Sequence, residues 1–157
     1  MHSFSSYPKV ELKPRSHSLN PRLQELHLPM VALENFLAST KEISVQELEY
    51  VPYQRLVLAH LLDEECGGSL KKILVETLHD RATGALEIST PPDLNKDDLI
   101  KISTAVSHLV GLPNFDSMSG KYYACFDVKD TDNSDSYLRQ AYRLFTLHTD
   151  GTYVDET

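Results

Sequence analysis

Leu138-Arg139-Gln140-Ala141-Tyr142-Arg143-Leu144-Phe145-Thr146-Leu147-His148-Thr149-Asp150-Gly151-Thr152-Tyr153 reads as a β-strand that ends in a His-x-Asp pair. Side chains alternate along a strand, so residues two apart share a face. Phe145 and Leu147 point one way. Tyr142, Leu144, Thr146 and His148 point the other way, joined by Asp150 if the extended path continues. An imidazole and a carboxylate then stand side by side, about 7 Å apart along the backbone, and can converge on one ion. Two His and one carboxylate on one face of an octahedron are the donor set of non-haem Fe(II) centres. His148 and Asp150 supply two of those three ligands. A surface pair at a strand end is the other reading of the same two residues.

Working outward, Lys121 to Val128 reads as a second strand, with Tyr122, Ala124, Phe126 and Val128 on one face. The loop between the two strands, Asp130-Thr131-Asp132-Asn133-Ser134-Asp135-Ser136, is rich in oxygen ligands. A calcium loop starting at Asp130 would need Gly at its sixth position and Glu at its twelfth. Asp135 and Ala141 stand there, so a turn built from Asx side chains is the better account. Upstream, Asn95 caps a helix with Asp97 and Asp98 in its first turn. Leu99, Ile102, Val106 and Leu109 form its apolar face, expected to pack on the sheet. Gly111 is expected as a left-handed stop, backed by Pro113, and His108 is expected to be exposed.

The first half reads as mainly helical. Residues 1–20 are rich in Ser and Pro and are expected to be an extended or disordered arm. Arg22 to Leu28 reads as a short strand, and a helix follows from Pro29 to near Thr40. Val45 to Tyr50 alternates like a strand. Tyr53, Leu56, Val57, His60, Leu61 and Glu64 repeat at helical spacing, and Leu58 and Leu62 widen the stripe. A stripe that wide needs cover from the core and from a second surface, such as another subunit. His60 sits on it and is expected to be packed and hydrogen-bonded. Gly67-Gly68 breaks the helix, and Ser69 caps the next one through Leu70, Ile73, Leu74 and Leu78. Gly84 to Thr90 reads as a strand.

The bulk properties exclude several classes. At 157 residues, the chain has the length of one domain. A net charge of −8 without a basic block argues against nucleic acid or an anionic membrane as main partner. Cys66 and Cys125 form neither a metal pattern nor a disulfide framework, which suits the cytoplasm. They read instead as small, half-buried residues. No apolar run approaches the ~18 residues of a membrane span, and Met1-His2-Ser3-Phe4 does not open a signal peptide. Helices come early and strands late, so the sheet is only begun at Thr157. A barrel or jelly roll removes its edges by closing. The chain is therefore expected to be the N-terminal part of a larger catalytic domain, whether truncated, split between frames or a fragment.

From about Asn20 onward, the sequence resembles the CsiD family, the glutarate 2-hydroxylases of bacteria. The resemblance is carried by Thr104-Ala105-Val106-Ser107-His108-Leu109-Val110-Gly111 and Asn114-Phe115-Asp116-Ser117-Met118-Ser119-Gly120-Lys121-Tyr122-Tyr123. It is most specific in Asp132-Asn133-Ser134-Asp135-Ser136-Tyr137-Leu138-Arg139-Gln140 and Leu147-His148-Thr149-Asp150-Gly151-Thr152-Tyr153. The resemblance implies an α+β fold, the N-terminal part of a double-stranded β-helix (jelly-roll) dioxygenase with residues 21–157 inside it. It also implies Fe(II) as cofactor, 2-oxoglutarate as co-substrate, and a homotetramer. The implied reaction consumes O₂ and hydroxylates glutarate to 2-hydroxyglutarate, releasing succinate and CO₂. His148 and Asp150 are the implied metal ligands. The third ligand, a second His, is missing from this chain, as is the arginine that holds 2-oxoglutarate. His27 is the only loose candidate for a third ligand within the chain. Arg139 and Arg143 are local candidates for contact with a substrate carboxylate. Both share the parity of Phe145, away from His148, which favours a surface or interface salt bridge unless a bulge intervenes. Two other readings remain open: an inactive remnant or non-catalytic interaction module, and an oxygenase acting on another small acid.

Overall fold

The computed structural model describes residues 10–14, 22–83, 85–113, 115 and 122, all within Met1–Tyr123. The strands expected at 121–128 and 138–150 lie outside the described residues, apart from Tyr122. The described part is α+β. Its elements run β1 (Glu11–Pro14), β2 (Leu23–His27), α1 (Met30–Ser39), α2 (Glu47–Tyr50), α3 (Pro52–Glu65), α4 (Leu70–His79), β3 (Ala85–Ser89) and α5 (Lys96–Val110).

The three strands form one mixed sheet in the order β1-β2-β3. β1 pairs antiparallel with β2, Glu11 opposite His27 and Pro14 opposite Gln24. A stretch expected to lie in an extended or disordered arm therefore supplies what is, among the described residues, an edge strand. Pro14 is tolerated there because an edge strand leaves one side of its backbone unpaired. β2 pairs parallel with β3, Leu23 opposite Ala85 and His27 opposite Ser89. A parallel pair needs a long crossover, and α1 to α4 provide it. Arg22 pins the return: its Nη2 donates to the Arg81 carbonyl at 3.0 Å, and its Nε donates to that of Ala82 at 3.2 Å.

The core is mainly helical, with β2 contributing Leu26. Leu26, Phe36, Leu48, Leu58, Leu62, Leu70, Leu74 and Ala105 are all buried in it. Among the described residues, α5 lies mainly against α3 and α4; most of the sheet it was expected to pack on lies outside the described residues. Ile102 and Leu109 are buried as the spacing predicts, but Leu99 is 41% exposed, and Ile100, Lys101 and Thr104 are buried instead. Packing on two helices draws on a wider arc of α5 than one stripe. Asn95 caps α5 as expected, its side-chain oxygen accepting from the Asp98 N–H at 3.0 Å. Gly111 is not a left-handed stop: its φ is −178°, extended, and its N–H donates to the Ser107 carbonyl at 3.0 Å.

Two further elements depart from the sequence reading. Glu47–Tyr50, expected in a strand, is a short helix, and only its Leu48 is buried. Ser44 starts the turn: its Oγ accepts from the Gln46 N–H at 3.2 Å and its carbonyl from the Glu47 N–H at 3.0 Å. Such local side-chain bonds compete with strand pairing. In α3, the buried face is Arg55, Leu58, Ala59 and Leu62. Tyr53 and Leu56 are exposed, as is His60, whose Nε2 stands 3.5 Å from Glu64. α3 ends where Gly67 and Gly68 take φ of 74° and 69°, a region that glycine enters without strain.

Candidate functional site

The four residues singled out for metal and substrate, His148, Asp150, Arg139 and Arg143, lie outside the described residues. Among the described residues, no group of three or more His, Cys, Asp or Glu could hold a metal ion. His27 ends β2 with its Nε2 3.4 Å from Glu25. His60 and His79 are exposed on their helices.

The described residues do build a mostly apolar cavity between α2, α3 and α5. Its volume is about 220 Å³, and its lining includes Glu49, Arg55, Ser103, Ser107, His108 and Tyr122. The spacing Arg55, Leu58, Ala59, Leu62 is that of one helix face. Packing that face inward carries the guanidinium with it, and Arg55 is only 5% exposed. Its Nη1 donates to the Leu48 carbonyl at 2.7 Å, close to the end of α2, where positive charge is favoured. Its Cζ lies 3.7 Å from the centre of the Tyr122 ring, a cation–π contact. Phe115 braces Tyr122 edge-on at 5.1 Å between ring centres. The Arg55 Nε–H is buried with no acceptor.

On the α5 wall, His108 is half-buried rather than exposed, and its Nδ1 lies 2.9 Å from the Thr104 carbonyl. A carbonyl only accepts, so Nδ1 carries the hydrogen. Burial pushes the His108 imidazole below its ordinary pKa, against the pull of that carbonyl, and the nearby Arg55 charge adds to the depression. Ser107 Oγ donates to the same carbonyl at 3.0 Å. The cavity thus brings the Arg55 guanidinium, an imidazole held below its ordinary pKa, hydroxyl groups and the Glu49 carboxylate together in a mostly apolar lining. Arg55 was missed because the apolar stripe was drawn through Tyr53 and Leu56. The competing i, i+3, i+4, i+7 set through Leu58 and Leu62 would have flagged it as a charged residue on a core face.

Comparison with known proteins extends beyond the described residues. A family model described as CsiD matches residues 12–157. A protein of Klebsiella pneumoniae named glutarate 2-hydroxylase is 46% identical over 153 residues, covering 96% of this chain and 46% of that protein. One of Citrobacter koseri with the same name is 47% identical over 140 residues, covering 87% of this chain and 43% of its own. The chain therefore spans a little under half the length of these curated relatives. A match across nearly all of this chain, carried at that identity, shows that it belongs to the CsiD family.

Proposed function

We propose that the complete enzyme to which this chain corresponds hydroxylates glutarate to 2-hydroxyglutarate, with Fe(II) as cofactor and 2-oxoglutarate and O₂ as co-substrates. The observation that carries this is the family match through residues 12–157, which takes in His148 and Asp150, together with relatives named for that reaction. His148 and Asp150 are the metal ligands in this reading. One imidazole nitrogen and one carboxylate are two of the three donors that such iron takes. When bound, the iron would activate O₂ for oxidative decarboxylation of 2-oxoglutarate to succinate and CO₂ and for C–H hydroxylation. The chain's part is to fix the metal with these two side chains and to hold dianionic acids through arginine, with Arg139 and Arg143 as the local candidates.

Residues 21–157 form the first part of a jelly-roll catalytic domain in this reading, and the enzyme works in the cytoplasm as a homotetramer. Tyr50, Tyr53 and Leu56, exposed on α2 and α3, would suit a subunit contact. Among the described residues, no helix is long and apolar enough to cross a membrane.

The test is a form extended to the relatives' full length, assayed with Fe(II), ascorbate, 2-oxoglutarate and glutarate for succinate and 2-hydroxyglutarate. Replacing His148 or Asp150 by Ala abolishes both products; near-normal turnover in either variant refutes the assignment. The 157-residue chain assayed in the same way is expected to form neither product. Product formation that is lost on His27→Ala would show that the chain completes its own triad.

A further inference from the structure

The cavity between α2, α3 and α5 holds about 220 Å³, and its lining is mostly apolar. Two polar groups on its α5 wall are left over by the fold. Thr104 lines the cavity and is only 7% exposed. Its hydroxyl makes no hydrogen bond to a described residue, yet it is not among the side-chain atoms sealed from solvent. The cavity is therefore where it is reached. His108 gives its Nδ1 hydrogen to the Thr104 carbonyl, so its Nε2 is an acceptor. Nε2 has no partner among the described residues and is likewise not sealed. Such groups are costly in an apolar lining until a hydrogen bond meets them.

We propose that this cavity binds a small neutral molecule with an apolar body and one hydroxyl group, which donates to His108 Nε2 and accepts from the Thr104 hydroxyl. One hydroxyl meets both groups because Thr104 and His108 are i, i+4 neighbours on α5. The charged lining selects a neutral ligand. Arg55 Nε is sealed, so its fork cannot take a carboxylate by two parallel bonds. An ammonium would stand beside the Arg55 charge in apolar surroundings, where like charges repel strongly. Glu49 has an interaction of its own and need not take part. Leu48 and the ring of Tyr122 supply apolar walls. An apolar cavity of roughly 150 Å³ takes one benzene ring, so about 220 Å³ suits a ring with one substituent. The site requires no metal and is independent of the hydroxylation proposed for His148 and Asp150.

The experiment is NMR of the metal-free 157-residue chain, with phenol as the probe. The nitrogen resonance of His108 Nε2 is followed at about pH 7.5, above the ordinary imidazole value and below that of a phenol. Phenol is expected to move that resonance saturably, in the direction of an imidazole nitrogen that accepts a hydrogen bond. Toluene, the same ring without the hydroxyl, binds about fivefold more weakly. Benzoate, the ring with a carboxylate, binds no better than toluene. Thr104→Val keeps the shape of the side chain and removes its hydroxyl. It weakens phenol by roughly threefold or more and does not weaken toluene. A His108 resonance that phenol does not move saturably overturns the proposal. So does toluene or benzoate binding as tightly as phenol. Those readings need no variant, so they stand if Thr104→Val does not fold. Phenol bound by Thr104→Val as tightly as by the parent also overturns the proposal. Failure of the hydroxylase assay touches none of these outcomes.

Discussion

Which face of α3 turns inward can be decided by two alanine substitutions. Leu62 is fully buried and Leu56 is 48% exposed, on the same helix. Truncating Leu to Ala removes about three carbons' worth of apolar surface, at about 0.8 kcal/mol per buried carbon. For Leu62, that transfer cost is about 2.4 kcal/mol, and the unfilled space it leaves raises it to about 3–4 kcal/mol. For Leu56, roughly half of the transfer cost applies and no closed cavity forms, so the loss is about 1 kcal/mol. With a urea m-value near 2 kcal/mol/M, the unfolding midpoint should fall by roughly 1.5–2 M for Leu62→Ala and roughly 0.5 M for Leu56→Ala. Circular dichroism in urea measures both, provided that the m-values of the variants agree. Equal losses would refute the rotated face. They would place Leu56 in the core and bring Arg55 out of it.

Ile102→Ala should cost about 2–5 kcal/mol in the same assay, because Ile102 is 3% exposed although its neighbours are helices; an unchanged midpoint would show that its face is misassigned. Burial, aided by the charges of Asp63 and Glu65, pushes the Cys66 thiol from 9.0 up to about 12. At about pH 8, iodoacetamide should therefore modify Cys66 only after unfolding, as read by peptide mass mapping. His108 is held below its ordinary value of 6.5, so the unfolded chain takes up this proton first as pH falls. Its contribution is constant above about pH 6.5 and is lost on acidification towards the folded-state pKa. Urea midpoints at about pH 7.5 and about pH 5.5 should therefore differ less in His108→Gln than in the parent.

Patterns repeated along the chain proved legible, and bonds between distant elements did not. Asn95 with Asp98 is a local signature, and the cap forms as spacing predicts. Gly67-Gly68 marks a break that two positive φ angles realise. Some other helix ends are also met from further along the chain. Lys101, 7% exposed, reaches the Thr40 carbonyl at the end of α1 at 2.8 Å, sixty-one residues off. Asp63 accepts from the Lys71 N–H at 2.9 Å and does the work expected of Ser69, whose own hydroxyl donates back to the Cys66 carbonyl. Arg55 reaches the Leu48 carbonyl in the same way. Lys101 and Arg55 are charged residues on buried faces, each meeting a helix end that needs a partner. A hydropathy stripe discounts such residues, since it scores charge as exposure. That bias moved the α3 face away from Arg55 and put His108 in solvent. The His148–Asp150 pair depends on alternation within one strand, which sequence can express. The Arg55 cavity depends on three helices meeting, and no single helix's periodicity encodes that.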